Sequence, residues 1–157
     1  MGHTAAGGRA ISDDEQSAAL AQETRIARLY RVILPVSDIE AATKFYAAIL
    51  GTAGKRVSSG RHYFDCEGTI LACYDPIADG DRHQATPNPD NIYLAVDDIE
   101  ATLAKCKAAH ADFPPGKTGG APLADIAKRP WGEVSFYILD PFGNPVCFVE
   151  RSTMFTG

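Results

Sequence analysis

Leu34-Pro35-Val36-Ser37-Asp38-Ile39-Glu40-Ala41 is answered, 60 residues further on, by Leu94-Ala95-Val96-Asp97-Asp98-Ile99-Glu100-Ala101, with six of the eight positions identical. A repeat of this period marks two copies of one supersecondary unit. Both copies read alike. The apolar run Val32 to Val36, or Ile92 to Val96, predicts a strand. Ser37 or Asp97 follows as an expected N-cap, with Glu40 or Glu100 three residues later, the spacing of a capping box that satisfies the free amides of a helix start. In the first copy Ile39, Ala42, Tyr46, Ile49 and Leu50 then fall at helical spacing, and Gly51 is a natural stop. In the second, Ile99, Leu103 and Cys106 make a narrower stripe ending near His110, ahead of Pro114-Pro115.

Outward from these helices, strand signals fill the rest of each copy. The first offers Lys55–Ser58, His62–Cys66 and Thr69–Tyr74, with Glu67-Gly68 as a tight hairpin turn. The second offers Leu123–Lys128, Glu133–Leu139 and Asn144–Glu150, with the turn Asp140-Pro141-Phe142-Gly143-Asn144 where the first copy has Asp65-Cys66-Glu67-Gly68. Each half therefore reads β-α-β-β-β. The predicted fold is α+β, two βαβββ modules forming a cupped mixed sheet with flanking helices. Module 1 spans about 26–75 and module 2 about 90–151, within one domain of residues 26–151. The polar, Pro/Gly-rich stretch Pro76 to Pro89 is expected as a surface connection. Residues 1–25 read as a separate N-terminal arm. Met1 to Gly8 is expected to be disordered, and Ser12-Asp13-Asp14-Glu15 to cap a weakly docking helix running to about Arg25.

Composition bounds the function classes. The chain has 157 residues, 45% hydrophobic and 22% charged, enough for one sizeable core. Its net charge of -5 and lack of a Lys/Arg cluster argue against nucleic acid as a partner. No apolar run is long enough to span a bilayer, and the first residues lack the basic-then-apolar order of a secretory signal, so membrane association is not expected and a cytoplasmic location is. Cys66, Cys73, Cys106 and Cys147 show no C-x-x-C spacing and are expected as reduced, partly buried thiols rather than a disulfide framework or zinc site.

Two segments carry a family resemblance. Val32–Gly51 (VILPVSDIEAATKFYAAILG) resembles the opening pattern of the vicinal oxygen chelate superfamily: strand, Ser-Asp cap, helix with Phe-Tyr, then Leu-Gly. Arg129–Glu150 (RPWGEVSFYILDPFGNPVCFVE), centred on Asp-Pro-Phe-Gly-Asn-Pro, resembles its closing pattern. The resemblance covers roughly Ile26 to Arg151. It implies the glyoxalase/bleomycin resistance/dioxygenase fold, which hosts glyoxalases, extradiol dioxygenases, epimerases, thiol transferases and non-catalytic antibiotic-binding proteins, so fold alone does not choose an activity.

The resemblance also implies where a metal would be held: at the start of the first strand and in the last strand of each module, usually by His, Glu or Gln. Those positions hold Arg31 and Asn91, and, counted from the turn glycines, Ala72 and Cys147. A guanidinium has no lone pair to give, a methyl nothing, a carboxamide little. No metal and no other cofactor is expected. A slipped ligand set using Glu150, His62 or Tyr93 is the alternative. Glu150 falls on the opposite strand face from Cys147.

Arg31, Asn91, Tyr93, Trp131 and Cys147 are the candidate ligand contacts. Arg31 offers a planar fork for a carboxylate or phosphate. Asn91 can orient the same group, Tyr93 shares its face and can stack on a ring, and Trp131 lies in a Pro-Trp-Gly turn beside the expected cleft. Each also has a purely structural account: ion pairing, turn capping or core packing. Gly116-Lys117-Thr118 imitates a phosphate loop but lacks the earlier glycine and the preceding strand. His3, His62, His83 and His110 show no paired spacing, and His62 is a candidate acid or base only if it faces the cleft. The expected function is metal-free binding of a small molecule, anionic or aromatic, in the cleft. The alternatives are a metal-dependent lyase or dioxygenase with atypical ligands, and a scaffold whose cleft is filled. The resemblance implies modules that pair either within the chain or across a twofold axis, a choice the sequence leaves open; since the sheets otherwise leave exposed edges, a homodimer is expected.

Overall fold

The computed structural model describes residues 10–24 and 26–155. The expectation for Met1 to Gly8, and Arg25 at the end of the first helix, lie outside the described residues. Helix α1 runs Asp13–Thr24. Its start is the capping box read from the sequence: the Glu15 amide donates to Ser12 Oγ at 3.1 Å, and the Ser12 amide donates to Glu15 Oε2 at 3.3 Å.

Module 1 follows as β1 (Arg31–Pro35), α2 (Ile39–Leu50), β2 (Lys55–Ser58), β3 (Arg61–Cys66) and β4 (Thr69–Tyr74). Module 2 is β5 (Ile92–Val96), α3 (Ile99–Ala108), the short pairs β6 (Lys117–Thr118) and β7 (Ala121–Pro122), then β8 (Ala127–Lys128), β9 (Val134–Leu139) and β10 (Pro145–Glu150). Two four-stranded mixed sheets result, ordered β1-β4-β3-β2 and β5-β10-β9-β8. In each, the first strand pairs in parallel with the last: Ile33 faces Ala72, and Tyr93 faces Cys147. The repeat in the sequence is thus a repeat of topology and register.

Period-2 alternation divides each sheet into two faces. Leu34, Phe64 and Leu71, with Phe136, Val146 and Phe148, point toward the helices and form one continuous core with Phe45, Tyr46 and Ile49 of α2 and Cys106 of α3. The opposite face of the second sheet carries a smaller cluster of Tyr137, Cys147 and Val149, covered by Leu123. All four cysteines are free, three buried and Cys66 half-buried.

Two expectations need correction. The helix N-caps are Asp38 and Asp98, one residue later than expected. Their carboxylates accept from the amides of Ala41 at 3.1 Å and Ala101 at 2.9 Å. A carboxylate here satisfies a free amide and faces the positive helix end. Glu40 is then too early to close a capping box and instead pairs with Arg56 at 2.6 Å. The strand expected at Leu123–Lys128 shrinks to Ala127–Lys128. The reason is Arg129, only 2% exposed. Its guanidinium donates to the carbonyls of Pro122 (3.2 Å), Asp125 (2.7 Å) and Ser135 (2.8 Å), and to Ser135 Oγ (3.1 Å). Carbonyls turned to one central cation do not build a regular ladder.

The link 76–89 is also more than a surface connection. The buried Asp75 accepts from the Ile39 amide, and Asp79 accepts from the Gly60 amide and the Arg61 guanidinium. Buried polar groups tie the modules together. Tyr46 of α2 donates its hydroxyl to Asp140 at 2.6 Å. Asn144 donates to Asp140 Oδ2 at 2.9 Å and to the Pro35 carbonyl at 2.6 Å. Asn88 donates to the Ile33 carbonyl at 3.0 Å. Among the described residues no helix is long and apolar enough to cross a membrane.

Candidate functional site: a cavity between the modules

A cavity of about 840 Å³ opens where the edge of β5 faces the β3–β4 hairpin, roofed by α2 and α3. Its volume is in the range of small-molecule sites. The inner wall is apolar, from Ile49 and Leu50 at the end of α2, Leu71 of β4, and Ile92, Leu94 and Val96 of β5. The charged and polar rim comprises Asp65, Glu67, Asp97 and Asp98 on one side of the ledger and Lys105 and Arg151 on the other, with Thr102 and Asn91 between.

Most rim charges are already engaged. Arg151, just past β10, holds Glu67 through both terminal nitrogens (2.5 and 3.2 Å) and Asp97 through Nε at 2.8 Å. One guanidinium thereby straps the module 1 hairpin to the β5–α3 junction of module 2, and both acids keep its pKa above the usual arginine value. Asp98 caps α3, and Asp65 accepts from the Gly68 amide at 2.7 Å. Lys105 is in no ion pair among the described residues, and its Nζ lies 3.8 Å from the point a Cβ on Gly51 would occupy, at the C-terminal end of α2.

The five candidate residues fall into separate groups. Asn91 and Tyr93 line the cavity, and Tyr93 is 58% exposed. Arg31, Trp131 and Cys147 do not line it. Arg31 belongs to the first sheet, where its guanidinium lies over the Tyr30 ring (4.9 Å) and the Tyr63 ring (5.2 Å), and a hydrogen bond it donates to the Tyr30 hydroxyl raises its pKa. Trp131 donates its indole N–H to Glu133 at 2.8 Å. Cys147 is buried beside its register partners Tyr93 and Tyr137, and burial pushes its thiol up to about 11. His62 sits on the helix side, 6% exposed, its ring tilted against Phe64 at 5.0 Å and bonded to the Ala53 carbonyl at 2.8 Å. It does not face a cleft. Lys105, Thr102, Glu67 and Arg151 were not legible as site residues, because each reads in sequence as an ordinary helix-surface, turn or chain-end residue.

The residues at the implied metal positions do not fit a metal. Arg31 repels a cation and is stacked between tyrosines. Ala72 is a buried methyl. Asn91 is a neutral amide, and Cys147 is a lone buried thiol whose pKa that burial raises. No group of three or more His, Cys, Asp or Glu side chains suited to a metal is assembled among the described residues.

Comparison with known proteins agrees with this architecture. Residues 28–148 match the family model of the Glyoxalase/Bleomycin resistance protein/Dioxygenase superfamily. None of the curated proteins compared matches the chain. Among solved structures, a glyoxalase/bleomycin resistance protein from Albidiferax ferrireducens T118 is 22% identical, with a TM-score of 0.60, covering 78% of this chain and 97% of that one. A glyoxalase-related enzyme from Fulvimarina pelagi is 18% identical at a TM-score of 0.63, over 84% of this chain and 94% of that one. A lactoylglutathione lyase from Agrobacterium tumefaciens is 19% identical at a TM-score of 0.58, over 84% of this chain and all of that one (100%). At these identities the likeness is one of fold. With the family model matched over most of its length and both βαβββ modules in place, the chain belongs to the glyoxalase/bleomycin resistance/dioxygenase superfamily.

Proposed function

We propose that this protein binds a small, largely apolar molecule in the cavity between its modules, without a metal, and acts through that affinity. The observation that carries the reading is the cavity itself: about 840 Å³, apolar within, polar at the rim, and built from both modules. Of the residues singled out in the sequence, Asn91 and Tyr93 support it directly, as a hydrogen-bonding amide and an exposed ring at the mouth. The misfit of Arg31, Ala72, Asn91 and Cys147 as a donor set supports the metal-free part. A homodimer is part of the same proposal, supported by the exposure of Trp131 (45%) and Phe155 (68%).

Ala101 lines the cavity from the exposed side of α3, so Ala101→Trp fills the space with little demand on the core. An apolar fluorescent probe, 1-anilinonaphthalene-8-sulfonate, should bind the wild type at one site and lose on the order of tenfold or more in affinity in A101W. Equal affinity in the two proteins refutes the cavity as the site. Stoichiometric zinc, iron, nickel or manganese in the purified protein, with loss of binding on its removal, refutes the metal-free reading.

A further inference from the structure

The repeat supplies an internal comparison. Caps Asp38 and Asp98 and the registers Ile33–Ala72 and Tyr93–Cys147 fix an offset of 60 residues for the helices and first strands. The turn glycines Gly68 and Gly143, both at positive φ, align the hairpins. On that alignment Phe45, Tyr46 and Phe142 correspond to Lys105, Cys106 and Glu67. The first three fill their side of the seam. Phe45 and Tyr46 are buried and meet edge to face at 5.0 Å, and Phe142 packs on the same core. On the other side Lys105 and Glu67 line the cavity, and Cys106 brings no ring. The cavity is therefore the place where one half of the molecule lacks the aromatic filling its twin has.

The polar character of an occupant follows from which rim charge is left over. Glu67 and Asp97 share the single charge of Arg151, Asp98 accepts from an amide at the start of α3, and Asp65 accepts from a turn amide, so each rim carboxylate already has a donor. Lys105 has no carboxylate partner among the described residues. It sits beside the apolar wall of Ile49 and Leu50. A surface lysine ordinarily points into water, but here a carboxylate delivered by a ligand would meet it at the edge of a low-dielectric wall, where an ion pair is stronger than in bulk water.

Resting on the binding reading above, we infer that the cavity takes an arylalkanoate: one aromatic ring occupying the seat that Phe142 and Phe45 fill in the other half, and one carboxylate on Lys105. The test is isothermal titration of the full chain at low ionic strength with 3-phenylpropanoate, 3-phenylpropan-1-ol, 3-phenylpropylamine and hexanoate. The acid should bind roughly fivefold or more tighter than the alcohol, the size expected of one partly screened ion pair, and the amine weakest. Hexanoate, with no ring, should bind several-fold more weakly than 3-phenylpropanoate. Lys105→Met should abolish the advantage of the acid over the alcohol. Lys105→Phe, which restores the ring of the counterpart, should lower the affinity of every probe while raising thermal stability. An acid no better than the alcohol, or an advantage that survives Lys105→Met in a protein of unchanged circular dichroism, overturns the inference. Failure of all four compounds overturns it too. If the fluorescent probe still binds in an Ala101-dependent way, only the ligand class falls; if that probe also fails, the cavity reading falls with it.

Discussion

Arg129 offers the sharpest test of how this fold is held. Arg129 is 2% exposed; its guanidinium lies 5.3 Å from the centre of the Tyr137 ring and meets no carboxylate among the described residues, and it has four hydrogen bonds of 3.2 Å or less, three of them to backbone carbonyls. Two effects of opposite sign compete. Each charge-assisted hydrogen bond contributes about 1.5–3 kcal/mol, so four give roughly 6–12. Burying the cation without a counter-charge costs several kcal/mol. Replacing Arg129 by Met removes both, but also leaves the Asp125 carbonyl and Ser135 hydroxyl with lost partners at about 1–3 kcal/mol each. The net expectation is a loss of at least about 3 kcal/mol, or on the order of 6 °C or more in melting temperature for a chain of this size. Urea unfolding should show a lower midpoint at an unchanged slope. The amide of Tyr137, which donates to the Leu123 carbonyl at 2.9 Å, should exchange faster because its acceptor lies in the segment Arg129 gathers. Arg129→Lys should recover only part, since an ammonium cannot reproduce the fork. A methionine variant within about 0.5 kcal/mol of the wild type would mean that desolvation cancels the hydrogen bonds and that Leu123 packing alone holds the segment.

Gly60→Ala should cost about 3 kcal/mol or more in chemical denaturation, because a Cβ there would stand 2.3 Å from the Asp75 carbonyl oxygen and 2.6 Å from the Asp79 amide, both backbone atoms. Tyr46→Phe should cost about 1.5–3 kcal/mol by the same assay, since it strips the hydroxyl that donates to the buried Asp140 at 2.6 Å; a neutral result would show the carboxylate is satisfied without it. Burial raises the Cys73 and Cys106 thiols to about 12 and Cys147 to about 11, all above the unfolded value of roughly 8.5. The folded state therefore holds protons that the unfolded chain releases, so this stability is complete below about pH 8.5 and is lost as pH climbs toward 11–12. Thiolate absorbance should rise together with loss of circular dichroism, and smooth thiol titration in a still-folded protein would contradict the assignment.

The fold was legible because its decisive signals are local. The repeated strand-to-helix segment, the Glu67-Gly68 turn and the 3.6-residue spacing in α2 each act within a few residues, and all three agree with the structure. The errors have local causes as well. Ser37 competes with Asp38 for the cap, and Asp97 with Asp98; in both copies the aspartate next to the helix start takes it. The apolar residues Leu123, Ala124, Ile126 and Ala127 read as a strand, but a buried cation from just outside that window claims the carbonyls. The site was only half legible. Asn91 and Tyr93 follow from their place on a strand, so their presence at the cavity could be read. Lys105, Glu67 and Arg151 matter through what stands opposite them in space, and a single copy of the repeat read alone carries no trace of that. Their meaning emerges only when one copy is laid on the other and the missing rings are seen.

The buried bridge from Tyr46 through Asp140 and Asn144 to the Pro35 carbonyl gives the two halves a common fate. Among the described residues the sheets share no ladder of paired strands, so the seam is held by hydrogen bonds whose donor and acceptor lie in different halves. A fragment ending in the 76–89 link would expose the apolar flank of α2, and its complement would carry a charge into an interior that no longer exists. Neither half is expected to fold as a free-standing part, and calorimetry should record one transition, with no plateau between the halves.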